Sequence, residues 1–218
     1  MELLLKLFRA VLEFMFPRDE AARALDAMTA EDLFEQARLN EHVGEDGVEA
    51  ILSYKHPLVR RLMWLLKYEH SEQAATLCAE LALERIMAEA NENSVFQKEL
   101  PILIPIPLSP ARLRERGYNQ TLRIAEKMLE IGGADFFTLR SDILLKVKDR
   151  PSQTKMENRQ ERLKNLADCF AVSNPREISG KNIFLLDDVT TTGATFAETK
   201  KTLLAAGVAN VLCIAIAH

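Results

Sequence analysis

The segment Ile183-Phe184-Leu185-Leu186-Asp187-Asp188-Val189-Thr190-Thr191-Thr192-Gly193-Ala194-Thr195 limits what this chain can become more than any other. Four consecutive apolar residues read as a strand buried on both faces, the kind found inside parallel sheets. Two adjacent carboxylates stand at its carboxyl end. Hydroxyls and a glycine follow, and a helix is expected to open near Ala194. In an open α/β sheet, ligands bind just beyond the carboxyl ends of the strands. A Thr/Gly turn opening a helix offers free backbone N–H groups and the positive end of the helix dipole, which suits a phosphate. The acids would then hold sugar hydroxyls or Mg²⁺. The same residues also fit an ordinary acidic turn, because Asp and Thr are common at helix N-termini for structural reasons. The pattern of residues alone leaves both readings open.

Two familiar phosphate sites are excluded by missing motifs. No G-x-x-x-x-G-K-[ST] occurs, since Gly180-Lys181 is followed by Asn182 and lacks the upstream glycine. No G-x-G-x-x-G occurs either. The net charge of −4 exerts no global pull on nucleic acid or anionic membrane. Charge is uneven, however: residues 1–50 carry a net of −7 and residues 140–164 a net of +4. Cys78, Cys169 and Cys213 are odd in number and far apart, without C-x-x-C, so neither a disulfide framework nor a cysteine zinc site is indicated. His42, His56, His70 and His218 are scattered, with no H-E-x-x-H.

Strands and helices alternate in the carboxyl half, which argues for a parallel sheet. Strands are expected at about 50–54, 102–106, 142–147, 168–172, 183–186 and 210–215. Helices are expected over 18–39 with Thr29 as an N-cap, and then over 57–67, 71–89, 119–129 and 194–206. Gly207 should stop the last helix. Residues 40–50 read as an acidic loop, and residues 148–166 as a long polar loop of the kind that is usually functional or disordered. The amino terminus is leucine-rich, but Glu2, Lys6, Arg9 and Glu13 form one polar stripe, so an amphipathic helix is expected there, with no membrane span. With cysteines of reduced character, this argues for the cytoplasm.

The thirteen-residue segment resembles the phosphoribosyl pyrophosphate (PRPP) motif of type I phosphoribosyltransferases. Other segments fit in order and spacing. Pro105-Ile106-Pro107-Leu108 precedes Arg112, Arg114 and Arg116-Gly117-Tyr118-Asn119-Gln120. The loop holds Arg150-Pro151, Gln153-Thr154, Arg159 and Asn165. Upstream lie Pro57-Leu58-Val59-Arg60 and Leu65-Leu66-Lys67-Tyr68. Over about residues 50–218 the chain resembles the ComF family of phosphoribosyltransferase-like proteins, linked to bacterial DNA uptake. The resemblance implies a type I phosphoribosyltransferase fold: α/β, with a mostly parallel central sheet flanked by helices and an N-terminal helical appendage. Residues 1–49 would be the appendage and 50–218 the phosphoribosyltransferase-like domain. Family members usually carry a cysteine zinc module after Phe-Pro. Here Phe16-Pro17 is followed by Arg18-Asp19-Glu20-Ala21-Ala22, so no zinc is expected.

The resemblance implies binding of PRPP as its Mg²⁺ complex. Thr191, Thr192, Gly193, Ala194 and Thr195 would cradle the 5′-phosphate. Asp187 and Asp188 would hold the ribose hydroxyls, directly or through Mg²⁺. Ile106, Pro107, Leu108, Arg114, Arg116, Lys148 and Arg159 would serve pyrophosphate or acceptor, with Arg150 as a further catalytic candidate and Lys155 in the same basic flap. The arginines and lysines also fit a merely solvated surface. No general base and no acceptor pocket can be read. Two functions follow: transfer of the phosphoribosyl group to an unknown acceptor, or a non-catalytic PRPP- or nucleotide-binding role through competence or DNA-processing partners, with weak nucleic-acid binding at most.

Overall fold

The computed structural model describes residues 20–39, 42–43, 47–97, 99–148 and 168–218. The expected amino-terminal helix and most of the 148–166 loop, with Arg150, Lys155 and Arg159, lie outside the described residues.

A six-stranded sheet organises the described chain. Its strands are β1 (His42–Val43), β2 (Val48–Leu52), β3 (Ile102–Pro105), β4 (Thr138–Leu139), β7 (Asn182–Val189) and β8 (Asn210–Ala217), in spatial order β1-β2-β8-β7-β3-β4. All pairings are parallel except that of the edge strand β1 with β2. The acid-bearing strand β7 is therefore central, between β3 and β8. Its apolar run is fully buried, as a strand covered on both faces must be. Because side chains alternate, the run feeds two cores. Phe184 and Leu186 pack with Leu62, Leu65, Leu66, Leu77, Ile124 and Met128 on one face. Ile183 and Leu185 pack with Ile178, Phe196 and Leu203 on the other.

The first face is covered by α3 (Pro57–Tyr68), α4 (Glu72–Glu92) and α7 (Gln120–Glu130). Proline at the first turn of α3, Ser71 capping α4 and Asn119 capping α7 explain where these helices start. The short helices α1 (Glu20–Ala27) and α2 (Ala30–Ala37) share the same core through Ala22, Leu25 and Leu33. Thr29 caps α2 with a reciprocal box: its hydroxyl accepts from Asp32 N at 3.1 Å, and its own N–H donates to the Asp32 carboxylate at 3.3 Å. The second face is covered by α9 (Ala194–Ala205).

Two expectations need correction. Residues 40–50 hold more than a loop: β1 and the start of β2 pair as a hairpin, His42 with Glu49 and Val43 with Val48. The acidic composition masked it, although Gly47, at φ 65, is the kind of residue a hairpin turn recruits. In the carboxyl half, β5 (Leu144–Lys146) and β6 (Phe170–Val172) stay out of the parallel sheet and form a separate antiparallel ribbon. Three elements gave no periodic signal because of their shortness: α5 (Ser94–Gln97), α6 (Pro110–Arg116) and α8 (Pro175–Ile178).

Phe96 of α5 stacks on Phe184 with ring centroids 4.6 Å apart, and Phe184 is wholly buried. Phe184→Ala should remove a large side chain from the centre of the sheet and cost roughly 3–5 kcal/mol. Urea unfolding monitored by circular dichroism checks this, through a fall in midpoint at unchanged slope.

Candidate functional site

The carboxyl ends of β7, β8, β3 and β2 meet at one edge. Beyond β3 the ladder with β7 continues one step, Ile106 N donating to Leu186 O at 2.9 Å. Beyond β7, Thr190 N donates to Ala217 O at 2.9 Å. The proline turn at 105–108 and the acids at 187–188 are therefore neighbours, held by backbone bonds.

Asp188 is buried, and Asp187 beside it reaches solvent with part of the residue although its carboxyl is enclosed by protein. Each carboxylate accepts from the backbone N–H that follows it: Asp188 N to Asp187 at 2.9 Å, Val189 N to Asp188 at 2.7 Å. Asp188 continues the row of Phe184 and Leu186, which faces α3. There Lys67, in the last turn of α3, places its Nζ 2.9 Å from Asp188 Oδ2. The contact is ionic, because Oδ2 accepts no well-aligned hydrogen bond. The Thr121 hydroxyl, in the first turn of α7, lies 3.3 Å from Asp187 Oδ1. No other described cation pairs with either acid.

One ammonium against two carboxylates leaves the pair short of positive charge. Burial pushes the Asp187 carboxyl well above the usual range, and the charge of Asp188 adds to this; the Asp188 N–H, Lys67 and Thr121 oppose it only in part. Cys78 lies within the influence of the same pair. Burial first, then Asp188, pushes its thiol up, so it is a core residue and no nucleophile.

The Thr/Gly turn opens α9 as expected. Gly193 is its N-cap at φ 74, with no side chain capping the helix. A Cβ there would find its nearest neighbour 3.8 Å away, so the need for glycine comes from the left-handed backbone and not from crowding. The first-turn N–H groups lack intrahelical partners and share the positive end of the dipole. Ala194 is buried, Thr192 and Thr195 are partly buried and Thr191 is exposed.

Ile106 is buried, with Pro107 and Leu108 partly so. Asn119 joins this turn to α7. Its Oδ1 accepts from Thr121 N at 3.1 Å, capping the helix, while its Nδ2 donates to Ile106 O at 3.1 Å. Arg116 lies over the Tyr68 ring at 5.9 Å, and Arg114 is exposed on α6. Lys148 is exposed and makes no described contact with the acids. Its N–H and that of Val147 both point to Cys169 O, at 3.4 and 2.8 Å, and Asp168 N donates to buried Glu198 of α9 at 2.8 Å. Lys148 and Asp168 are thus close together, beside α9.

The structure adds Lys67, Thr121 and Asn119 to the residues given roles from the sequence. A lysine in the last turn of an amphipathic helix reads as a dipole complement, and only the tertiary packing of α3 against β7 reveals its partner.

No family model matches the chain. The competence protein ComFC of Streptococcus pneumoniae is 39% identical over 108 residues, 50% of this chain and 44% of that protein. ComFC of Bacillus subtilis is 34% identical over 119 residues, 53% of this chain and 45% of that protein. The DNA utilization protein YhgH of Salmonella typhimurium is 27% identical over 163 residues, 74% of this chain and 67% of that protein. The homologues support the ComF family. The chain matches less than half the length of the two ComFC proteins. Among solved structures, the allosteric regulatory enzyme of purine biosynthesis is 15% identical with a TM-score of 0.35, covering 66% of this chain and 26% of that one. No described helix is long and apolar enough to cross a membrane.

A carboxyl raised in the folded state binds its proton more readily there than in the unfolded chain. Its ionisation therefore destabilises the fold as pH rises from the ordinary carboxylate range through the raised value. Asp187→Asn should raise the melting temperature by a few degrees at about pH 8, a change of roughly 1 kcal/mol, and change little near about pH 4. Thermal melts with a chelator present check this.

Proposed function

We propose that this chain binds PRPP as its Mg²⁺ complex and transfers the phosphoribosyl group to an acceptor, its α/β sheet being of the type I phosphoribosyltransferase kind. One observation carries the reading: an under-neutralised acid pair, a glycine-opened helix and a proline turn share the carboxyl edge of one parallel sheet. In this reading Thr191, Thr192, Gly193, Ala194 and Thr195 bind the 5′-phosphate, and Asp187 and Asp188 bind the ribose hydroxyls. The turn at Ile106, Pro107 and Leu108 takes the pyrophosphate with its backbone groups. Asn119 keeps that turn in register with the acids.

The residues present fit Mg²⁺. It keeps several waters and takes one or two carboxylates plus substrate oxygens, and the raised Asp187 carboxyl marks negative charge that a cation would offset. When bound, the ion supplies neutralisation of the departing pyrophosphate. In the transfer, the C1–O bond breaks and its electron pair leaves with pyrophosphate. A lone pair of the acceptor forms the new bond to C1, and the acceptor's proton goes to solvent. The protein contributes positioning, charge neutralisation and exclusion of water. Arg114, Arg116, Lys148, Arg150 and Arg159 are the cations proposed to meet the pyrophosphate or the acceptor.

A second reading draws on the relatives named for competence and DNA utilization: a protein that binds PRPP or a nucleotide without turnover and acts through partners. A Mg²⁺-dependent assay for pyrophosphate release from PRPP, run with a panel of bases, separates the two. The first reading expects release that is abolished by chelation and lowered at least about 10²-fold in Asp187→Ala/Asp188→Ala. Saturable PRPP binding with no release under any acceptor would establish the second reading in its place.

A further inference from the structure

Helix α7 turns an apolar stripe to the sheet. Ile124, Ala125 and Met128 are wholly buried in the core they share with Phe184 and Leu186 of β7. Counting back three, four and seven residues from them puts Thr121 at the amino-terminal end of the same stripe. Thr121 is its one polar member and is 2% exposed. A hydroxyl buried in such a place needs a partner. It meets one where the neighbouring strand ends: Thr121 Oγ1 lies 3.3 Å from Asp187 Oδ1. An ionised carboxylate only accepts, so the hydroxyl donates. The backbone of Thr121 is committed as well. Its N–H donates to Asn119 Oδ1 at 3.1 Å, and Asn119 Nδ2 donates to Ile106 O at 3.1 Å. Thr121 therefore stands between the acid pair and the proline turn, on a helix whose packed face fixes where the hydroxyl sits.

The four oxygens of the acid pair are unevenly occupied. Asp187 Oδ1 accepts from Asp188 N at 2.9 Å as well as from Thr121. Asp188 Oδ1 accepts from Val189 N at 2.7 Å, and Asp188 Oδ2 faces the Lys67 ammonium at 2.9 Å. Among the described residues, only Asp187 Oδ2 has neither a hydrogen-bond nor an ion-pair partner. It belongs to a residue that still reaches solvent. The terminal torsion of an aspartate is soft and broad. One backbone N–H would leave the carboxylate free to turn about it, whereas two donors on the same oxygen restrict it.

We propose that Thr121 is a positioning residue for the sugar of PRPP: it holds Asp187 Oδ1 against α7 and so leaves Oδ2 as the oxygen that accepts a ribose hydroxyl. The inference rests on the PRPP reading above. It adds the atom that meets the sugar and the residue that aims it. The contact of Thr121 with Asp187 is long for two oxygens, so the hydroxyl orients the carboxylate more than it stabilises the fold. Its removal acts on the ligand through Asp187. Valine keeps the branched shape of threonine at this position. Thr121→Val also keeps the N–H that Asn119 caps, and Asp187 Oδ1 keeps the Asp188 N–H, so no buried acceptor is left without a donor.

Three variants of the full chain separate the hydroxyl from the space it fills. Thr121→Val and Thr121→Ala both lack the hydroxyl, and only the first keeps the volume. Thr121→Ser keeps the hydroxyl and loses the methyl group. PRPP with Mg²⁺ is titrated into each and into the wild type by calorimetry, with circular dichroism as a check on folding. Thr121→Val and Thr121→Ala should each weaken PRPP binding at least about fivefold, the effect of one hydrogen bond, and Thr121→Ser should bind within about twofold of the wild type. The proposal is overturned if both variants without the hydroxyl bind like the wild type. It is equally overturned if Thr121→Ser is as weak as Thr121→Val, which would assign the role to packing of the methyl group. Either result leaves the PRPP reading standing, because the wild type still binds. A wild type that does not bind PRPP overturns that reading and this proposal together.

Discussion

Two carboxylates at the end of a buried parallel strand set the terms for everything around them. A strand covered on both faces has no solvent at its sides, so charge can be tolerated only where the strand emerges. Even there, Asp188 is buried and depends on Lys67 from α3. Losing one partner of such a pair leaves an uncompensated charge and is strongly destabilising. The position of α3 across the sheet is therefore tied to the acids, and so are the aromatic residues that α3 carries. The raised Asp187 carboxyl is the other side of the same constraint: the fold retains a charge deficit that no described side chain removes.

The site is positioned mainly by backbone and capping bonds. The β3–β7 ladder runs one residue past β3 and fixes Ile106 beside Leu186. Asn119 uses both ends of its amide, one to cap α7 and one to hold the proline turn. Thr121, two residues on in the first turn of α7, reaches Asp187. These links connect the acids, the turn and α7 without long flexible side chains, and such preorganisation suits a reaction that depends on positioning and electrostatics. The ionic partner Lys67 is the exception, a long side chain at the end of α3 that is largely buried.

Much of this was legible in the sequence. The run 183–195 announces its strand and its glycine-opened helix, because a four-residue apolar block reads as a strand buried on both faces and a glycine suits the left-handed start of a helix; what the acids are for the pattern left open. Pro57, Ser71, Thr29 and Gly207 mark helix ends through local chemistry that needs no tertiary knowledge. The hairpin at 42–52 was hidden because its acidic residues resemble a loop and its strand β1 is only two residues long. The β5–β6 ribbon was misplaced because a short apolar strand does not reveal which sheet it joins. Lys67 was invisible as a site residue because its role depends on α3 packing across β7, a long-range contact. The contact of Arg116 with the Tyr68 ring was likewise out of reach, because the two residues meet only through the fold.

The carboxyl edge of the sheet carries the chemistry proposed for this chain. Calorimetric titration of PRPP into the intact chain, with Mg²⁺ and with a chelator, tests that chemistry most directly. Binding should be saturable and Mg²⁺-dependent, and it should be lost in Asp187→Ala/Asp188→Ala. Equal binding by the double variant, or none by the wild type at any Mg²⁺ concentration, would contradict it.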